Sequence, residues 1–434
     1  MDYIPKFFRQ TLSANESLFP ALANSGWLIF DKLVRIFFSL FISALIARYL
    51  GPLQYGELAY VIAYLAFFQV LSTLGMDGVI VREIAKDKQH AGGLLGSAFF
   101  MRVIAGIFCW ISSILIMVVI FGWSHPRVYI TALAGASLFF QAADTVDLWF
   151  QSQSQSKRTV ISKLIAYFIS NAIKVILVFA KAPLILFSLV IALDVLIAAV
   201  ALFYAYKKYP CSQPWVLIRS KALTILIESW PYLLSGLAIV IYMRIDQFMI
   251  GMFLGEKELG IYAAVLPLAT MWSFIPMTLS ISLAPYVARK KCEDQLEYMS
   301  VLTSIFRGFS LLSWCIIIPV FLLSGPVVEF LFGHEYTNGA HILSVVVFTN
   351  LFINMGVAQN LWLLNEGKSL IGLYKTIIGV LVCVIANIIL IPKLGMTGAA
   401  ISSILAQFFS AFLSNIFFCR NIFYIQLKSV FLLK

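Results

Sequence analysis

The sequence predicts an all-α, polytopic membrane protein: about twelve transmembrane helices in two pseudo-symmetric six-helix bundles around a central cavity. Composition is the first reason. Of 434 residues, 61% are hydrophobic and 12% charged, roughly half the charged fraction of an ordinary soluble chain, which leaves too few polar groups to coat a surface facing water. The second is patterning. Apolar runs of about 20 residues, enough to cross the hydrocarbon core, follow one another along the chain. The third is a basic stretch at mid-chain, Tyr206 to Leu223, with six such runs on either side.

The segment from Met1 to Asn24 contains Pro5, Lys6, Arg9, Asn15 and Glu16 without an uninterrupted apolar run. It reads as a short interfacial segment, 1–23, rather than a cleavable signal peptide. Spans follow near 24–47, 58–78, 94–121, 128–150, 160–180 and 183–205, and then near 223–252, 258–286, 301–323, 338–364, 369–391 and 397–419. Glycine and proline mark joints at Gly51-Pro52, Ala182-Pro183, Gly255, Gly325-Pro326, Pro392 and Gly395. The domains expected are an N-terminal bundle, 1–205, a cytoplasmic linker, 206–222, and a C-terminal bundle, 223–434.

Loop charge orients the chain. With the N-terminus inside, nineteen Lys and Arg fall on the cytoplasmic side, including Arg82, Lys86, Lys88, Lys207, Lys208 and Arg289 to Lys291. Only Arg48, Arg127, Lys181, Lys257 and Lys393 fall opposite. Positive loops stay in the cytoplasm, so both termini are expected there. The formal charge of +11 is spread over these loops, not gathered on a domain, which argues against a nucleic-acid partner.

The two halves also begin alike. Leu50-Gly51-Pro52-Leu53-Gln54-Tyr55-Gly56 follows the first span, and Leu254-Gly255-Glu256-Lys257-Glu258-Leu259-Gly260 follows the seventh. Six spans per half give both halves one orientation, so an axis along the membrane normal relates them, as in parallel transporter repeats.

Ionisable side chains at membrane depth cost several kcal/mol unless they face protein or water. In the first span Asp31, Arg35, Ser39 and Ser43 recur every four residues, with Lys32 beside them, and so share one helix face. Snorkelling of Asp31 and Lys32 to the interface explains less, since Arg35 carries the stripe deeper. In the fifth span Lys163, Tyr167, Ser170, Asn171 and Lys174 share a face. The fourth carries Ser137, Gln141, Asp144 and Gln151, with Asp147 close by, and Asp194 lies deep in the sixth. The seventh has Tyr242, Arg244 and Asp246, the tenth Asn350, Asn354, Gln359 and Asn360, and the eleventh Lys375. Arg102 and Arg307 read best as headgroup anchors. Asp194 suits a structural pair with a cation or a proton-coupling role equally.

Arg and Lys are natural phosphate partners, and the intramembrane cations outnumber what apolar cations would require of a cavity. An anionic, lipid-linked substrate fits, its head in the cavity and its tail in the bilayer. The candidate substrate-binding residues are Arg35, Lys32, Lys174, Arg244, Asn171 and Lys375. The candidate ion-coupling or charge-pairing residues are Asp31, Asp246, Asp144 and Asp194.

No phosphate-cradling loop with its Lys and Ser/Thr occurs, so direct ATP drive is not indicated. His90, His125, His334 and His341 lack metal-site spacing. The six cysteines lie mostly in apolar runs and read as small apolar residues. No catalytic residue, metal or cofactor is expected.

These residues resemble a known family, the bacterial O-antigen repeat-unit flippases (Wzx-like) of the superfamily that also holds multidrug exporters. The likeness is carried by Ala47 to Gly56, by Leu74-Gly75-Met76-Asp77-Gly78 with Arg82-Glu83-Ile84-Ala85, and by Arg244 to Gly251 with Leu254-Gly255 and Gly260-Ile261-Tyr262. Ile391 to Ala400, entering the last span, completes it. The resemblance implies two six-helix bundles around a cavity open to one side at a time. It implies translocation of undecaprenyl-diphosphate-linked oligosaccharide across the bacterial inner membrane, with an ion gradient as drive and polysaccharide polymerase machinery as a partner. Its intramembrane cations correspond in kind to Lys32, Arg35, Lys174 and Arg244. The alternatives are an ion-coupled multidrug exporter, which would want unpaired carboxylates, and a non-transporting scaffold, for which charged stripes would be needlessly costly.

Overall fold

The computed structural model describes residues 18–87, 91–211 and 213–431; the interfacial segment expected over 1–23 lies largely outside them. The described residues form helices and turns, with no strand among them. The first half contains α1 (Leu18–Thr73), α2 (Asp77–Lys86), α3 (Ala91–Phe121), α4 (Pro126–Phe140), α5 (Thr145–Ser152), α6 (Ser156–Phe179) and α7 (Leu184–Lys208). The second contains α8 (Arg219–Phe253), α9 (Glu256–Thr270), α10 (Phe274–Glu293), α11 (Gln295–Phe332), α12 (Asn338–Val346) and α13 (Thr349–Asn365). It ends with α14 (Ser369–Leu394), α15 (Met396–Gln407), α16 (Asn415–Phe418) and α17 (Arg420–Val430), a π-helical turn, Phe408–Leu413, lying between α15 and α16.

Among the described residues nine spans are long and apolar enough to cross a membrane. The first expected span and most of the second lie in α1, whose helical run bends at Gly51 (φ 70°) and ends at Thr73. The fourth is broken by a 3-10 turn, Gln141–Asp144, between α4 and α5. A count of twelve remains our proposal. Large apolar side chains such as Val119, Phe179 and Phe330 are highly exposed, as a lipid-facing surface requires.

Two expected joints are not joints. Pro326 and Pro392 both sit inside helices, α11 and α14. A proline removes one backbone donor, which membrane helices tolerate. The chain instead turns at Gly333 (φ 87°) and Gly395 (φ 62°), where the left-handed backbone favours glycine.

The chain groups into two compact units: the chain up to Ile42 with Phe68–Leu234, and Ser43–Phe67 with Ser235–Lys434. The first has a core of Met76, Val79, Ile80, Ile84, Leu95 and Leu148, which seats the amphipathic α2. The second is centred on Tyr298, Phe306, Phe309, Met355, Leu361 and Phe412. The division by chain order, 1–205, 206–222 and 223–434, rests on span count rather than compactness and stays a proposal.

Within the second unit the two similar turns meet. A Cβ on Gly56 would fall 1.8 Å from the Glu256 carbonyl oxygen, and one on Gly260 would fall 1.9 Å from that of Pro52. Only glycine permits that approach. The contact is reciprocal, position for position, between the two sequence repeats.

Candidate functional site

The first unit contains a continuous polar chain across three helices. On α1, Arg35 Nε donates to Asp31 Oδ1 at 2.9 Å, one turn earlier. The guanidinium lies 4.9 Å from the centre of the Tyr167 ring on α6, and the Tyr167 hydroxyl donates to the Arg35 carbonyl at 3.1 Å. Further along α6, Asn171 Nδ2 donates to the Tyr167 carbonyl at 2.8 Å and Lys174 Nζ to Asn171 Oδ1 at 3.5 Å. Ser170 Oγ donates to Asp194 Oδ1 on α7 at 2.8 Å, and that carboxylate acts electrostatically on Lys174. Five predicted site residues, Asp31, Arg35, Asn171, Lys174 and Asp194, thus come together through Tyr167 and Ser170. Lys32 is exposed beside the chain.

Asp144 lies apart from this chain, in a triad. Lys163 Nζ contacts Asp144 Oδ1 at 2.8 Å and Asp147 Oδ2 at 2.7 Å. The 3-10 turn preceding α5 brings both carboxylates to one lysine, and nothing in local spacing announces it. Arg102 is likewise no headgroup anchor. Its side chain is 2% exposed and ion-paired with Asp77, because a cation turned into protein needs a carboxylate there.

The second unit encloses a cavity of about 580 Å³ whose polar lining includes Tyr55, Tyr242, Arg244, Gln247, Asn360 and Gln407. Arg244 donates to Gln247 Oε1 at 3.3 Å. Asp246, 4% exposed, accepts from the Tyr262 hydroxyl at 2.6 Å and from the Gln247 amide at 2.7 Å. Neutral donors satisfy that carboxylate, and the two neighbours form no ion pair. The Arg244 side chain lines the cavity wall, held there by Gln247.

Lys375 does not line this cavity. It is buried on α14 and donates to Gln359 and Asn415. Gln359 was visible on its polar face; Asn415, Gln407 and Gln426 carry no such pattern.

The family described as polysaccharide biosynthesis protein matches residues 21–291, more than half of the chain. The chain belongs to that family. It also matches the MatE family over residues 231–389. It is 29% identical over 176 residues to the capsular polysaccharide biosynthesis protein CapF of Staphylococcus aureus, covering 39% of this chain and 43% of that one. It is 22% identical over 171 residues to the probable low-salt glycan biosynthesis flippase Agl15 of Haloferax volcanii, covering 38% and 35%. The chain thus spans less than half the length of these two relatives.

Solved structures share its fold. An inward-facing multidrug resistance MATE family transporter of the MOP superfamily superposes with a TM-score of 0.73 at 13% identity, covering 92% of this chain and 99% of that one. The lipid II flippase MurJ in an inward closed conformation gives 0.69 at 15%, covering 94% and 91%. The chain is therefore an all-α, polytopic membrane protein that shares the fold of the MATE and MurJ structures, as its composition and resemblance imply.

Proposed function

We propose that this protein is a flippase that moves undecaprenyl-diphosphate-linked oligosaccharide repeat units, O-antigen or a similar surface polysaccharide, from the cytoplasmic to the periplasmic leaflet of the bacterial inner membrane by alternating access. The carrying observation is the polar chain of the first unit, which joins Arg35 and Lys174 on two helices that we read as membrane-spanning. Such cations are costly in lipid unless they serve a polar ligand, and a diphosphate is the ligand that Arg and Lys engage best. Arg244 on the cavity wall of the second unit offers a further anion contact. Asp31 and Asp194 hold Arg35 and Lys174 in place or take part in ion coupling, and Asp246 is a further candidate for coupling. The excess of Lys and Arg in the loops expected inside supports a cytoplasmic location for both termini, and polymerase machinery is the proposed recipient of the product. Membership of a polysaccharide biosynthesis family supports this reading.

The test is a deletion strain complemented with wild type or with Arg35→Ala and Lys174→Ala. Surface polysaccharide is followed on gels beside undecaprenyl-linked repeat units on the inner leaflet. Lost polymer with repeat units accumulating inside, while the variants stay in the membrane, is the expected result. Normal polymer in both variants would remove the site assignment.

The MatE match over residues 231–389 favours a second reading, an ion-coupled multidrug exporter. Unchanged polymer in the deletion strain, together with raised sensitivity on a drug panel, would select it.

A further inference from the structure

Lys375 is a buried cation held by two neutral amides. It is 5% exposed on α14. Its ammonium donates to Gln359 Oε1 on α13 and, at 3.1 Å, to Asn415 Oδ1 on α16. Both acceptors are neutral amides. Gln359 Nε2 donates back to Asn415 Oδ1 at 2.7 Å, and Asn415 Nδ2 donates to Gln426 Oε1 on α17 at 2.7 Å. Among the described residues no carboxylate pairs with Lys375. Its titratable neighbour is the Cys419 thiol, on which Lys368 also acts.

An ammonium at membrane depth without a counter-charge is costly by several kcal/mol. An amide cage differs from a carboxylate in one respect that matters here. A primary amide turned by half a rotation presents N–H where it presented oxygen. The same cage can therefore accept from the ammonium through Gln359 and Asn415, or donate to the lone pair of the neutral amine. The backbone beside it is also adjustable. The π-helical turn Phe408–Leu413 directly precedes this site, and its Ala411 carbonyl accepts from Asn415 Nδ2 at 3.0 Å and from Gln426 Nε2 at 3.1 Å. Such bulges recur at functional sites because they leave backbone groups free for side chains.

We infer that Lys375 is a proton-binding site of the transport cycle, alternating between a caged ammonium and a caged neutral amine. This rests on the reading of the protein as an ion-coupled translocator and names the ion. In the release step one Nζ–H bond breaks, its electron pair stays on nitrogen, and the proton passes to water on one side of the membrane. In the return step the amine takes a proton from water on the other side. Gln359, Asn415 and Gln426 turn with each change. Because Gln426 belongs to α17, the position of that helix follows the charge on Lys375.

The experiment uses the full-length protein in proteoliposomes containing fluorescently tagged undecaprenyl-diphosphate N-acetylglucosamine as the probe. Leaflet exchange is measured by quencher accessibility, with and without an imposed pH difference. The readout is the ratio of the two rates. For the wild type the ratio rises several-fold; for Lys375→Met it falls to about one. Gln359→Glu keeps the lysine but supplies a fixed counter-charge that pins the proton, and its ratio also falls to about one. That second variant decides the matter if Lys375→Met fails to fold. A gradient response retained in either folded variant overturns the inference, as does a wild type that moves the probe without responding to pH. A wild type that moves no probe overturns the translocator reading itself, and this inference with it.

Discussion

Gly56 and Gly260 face each other so closely that a Cβ on either would lie 2.9 Å from the backbone nitrogen of the other. They hold matching positions in the two sequence repeats, five residues after Gly51 and Gly255, both of which have positive φ. Reciprocal contact between equivalent residues is what a local two-fold relation produces. Small residues let membrane helices approach to backbone contact, and here the contact joins the helix that follows Gly51 to the helix that follows Gly255.

Alanine at Gly56 or Gly260 meets backbone rather than a flexible side chain, so the turns must separate. Each substitution is expected to cost about 1–3 kcal/mol, the usual penalty of overpacking. The double variant should cost less than the sum, since one separation relieves both clashes. Thermal unfolding of the detergent-purified protein checks this; full additivity would show that the two glycines act independently.

Lys163→Met leaves Asp144 and Asp147 facing each other without a cation. Removing one member of a buried pair costs roughly 3–5 kcal/mol. These side chains keep partial exposure, so a loss of about 2 kcal/mol is expected. Adding Asp144→Asn and Asp147→Asn to Lys163→Met should recover most of it. A lower melting temperature that the added substitutions leave unchanged would mean that lysine packing, not charge, was lost.

Tyr167 supports Arg35 in two separable ways. Tyr167→Phe removes the hydroxyl bond to the Arg35 carbonyl, worth about 1 kcal/mol, and keeps the ring under the guanidinium. Tyr167→Leu removes both, adding the roughly 0.5–2 kcal/mol of a cation–π contact. Surface polysaccharide in the complemented deletion strain should stay near wild type for the first and fall several-fold for the second. Equal polymer levels would show that Arg35 needs no aromatic platform.

On α2 of the first unit, the Lys86 ammonium and the Arg82 guanidinium hold the Glu83 carboxyl below its usual range, against some desolvation. A depressed carboxylate contributes stability above its unfolded pKa, about 4.3, and loses it as pH falls through the lower folded value. The group is solvent-exposed, so the contribution is small and salt-sensitive. Hydrogen exchange over Asp77–Lys86 should differ between wild type and Glu83→Gln at neutral pH and converge at pH about 3. A difference that persists in acid would point to a role independent of charge.

The polar site was legible in part, and the reason is distance along the chain. Asp31 and Arg35 stand one helical turn apart, so their ion pair follows from helix geometry. The face of Tyr167, Asn171 and Lys174 follows in the same way. Asp144 and Asp147 reach Lys163 only because a 3-10 turn and a chain reversal intervene. Arg102 read as an anchor because Asp77 lies 25 residues earlier, across a turn whose packing no periodicity encodes. Lys375 looked like a ligand-facing cation; Gln426, more than fifty residues later in the chain, helps make it a caged one.

Composition alone determined that this protein lives in lipid, because 12% charge cannot cover a water-facing surface. Local spacing determined its helical character and the first polar stripe, since both depend on neighbours within one or two turns. The tertiary structure decided which cations are paired, which face a cavity and which are caged by amides. Burial and ion pairing depend on atoms from distant segments, and their energies are set by the partners that folding supplies rather than by residue type.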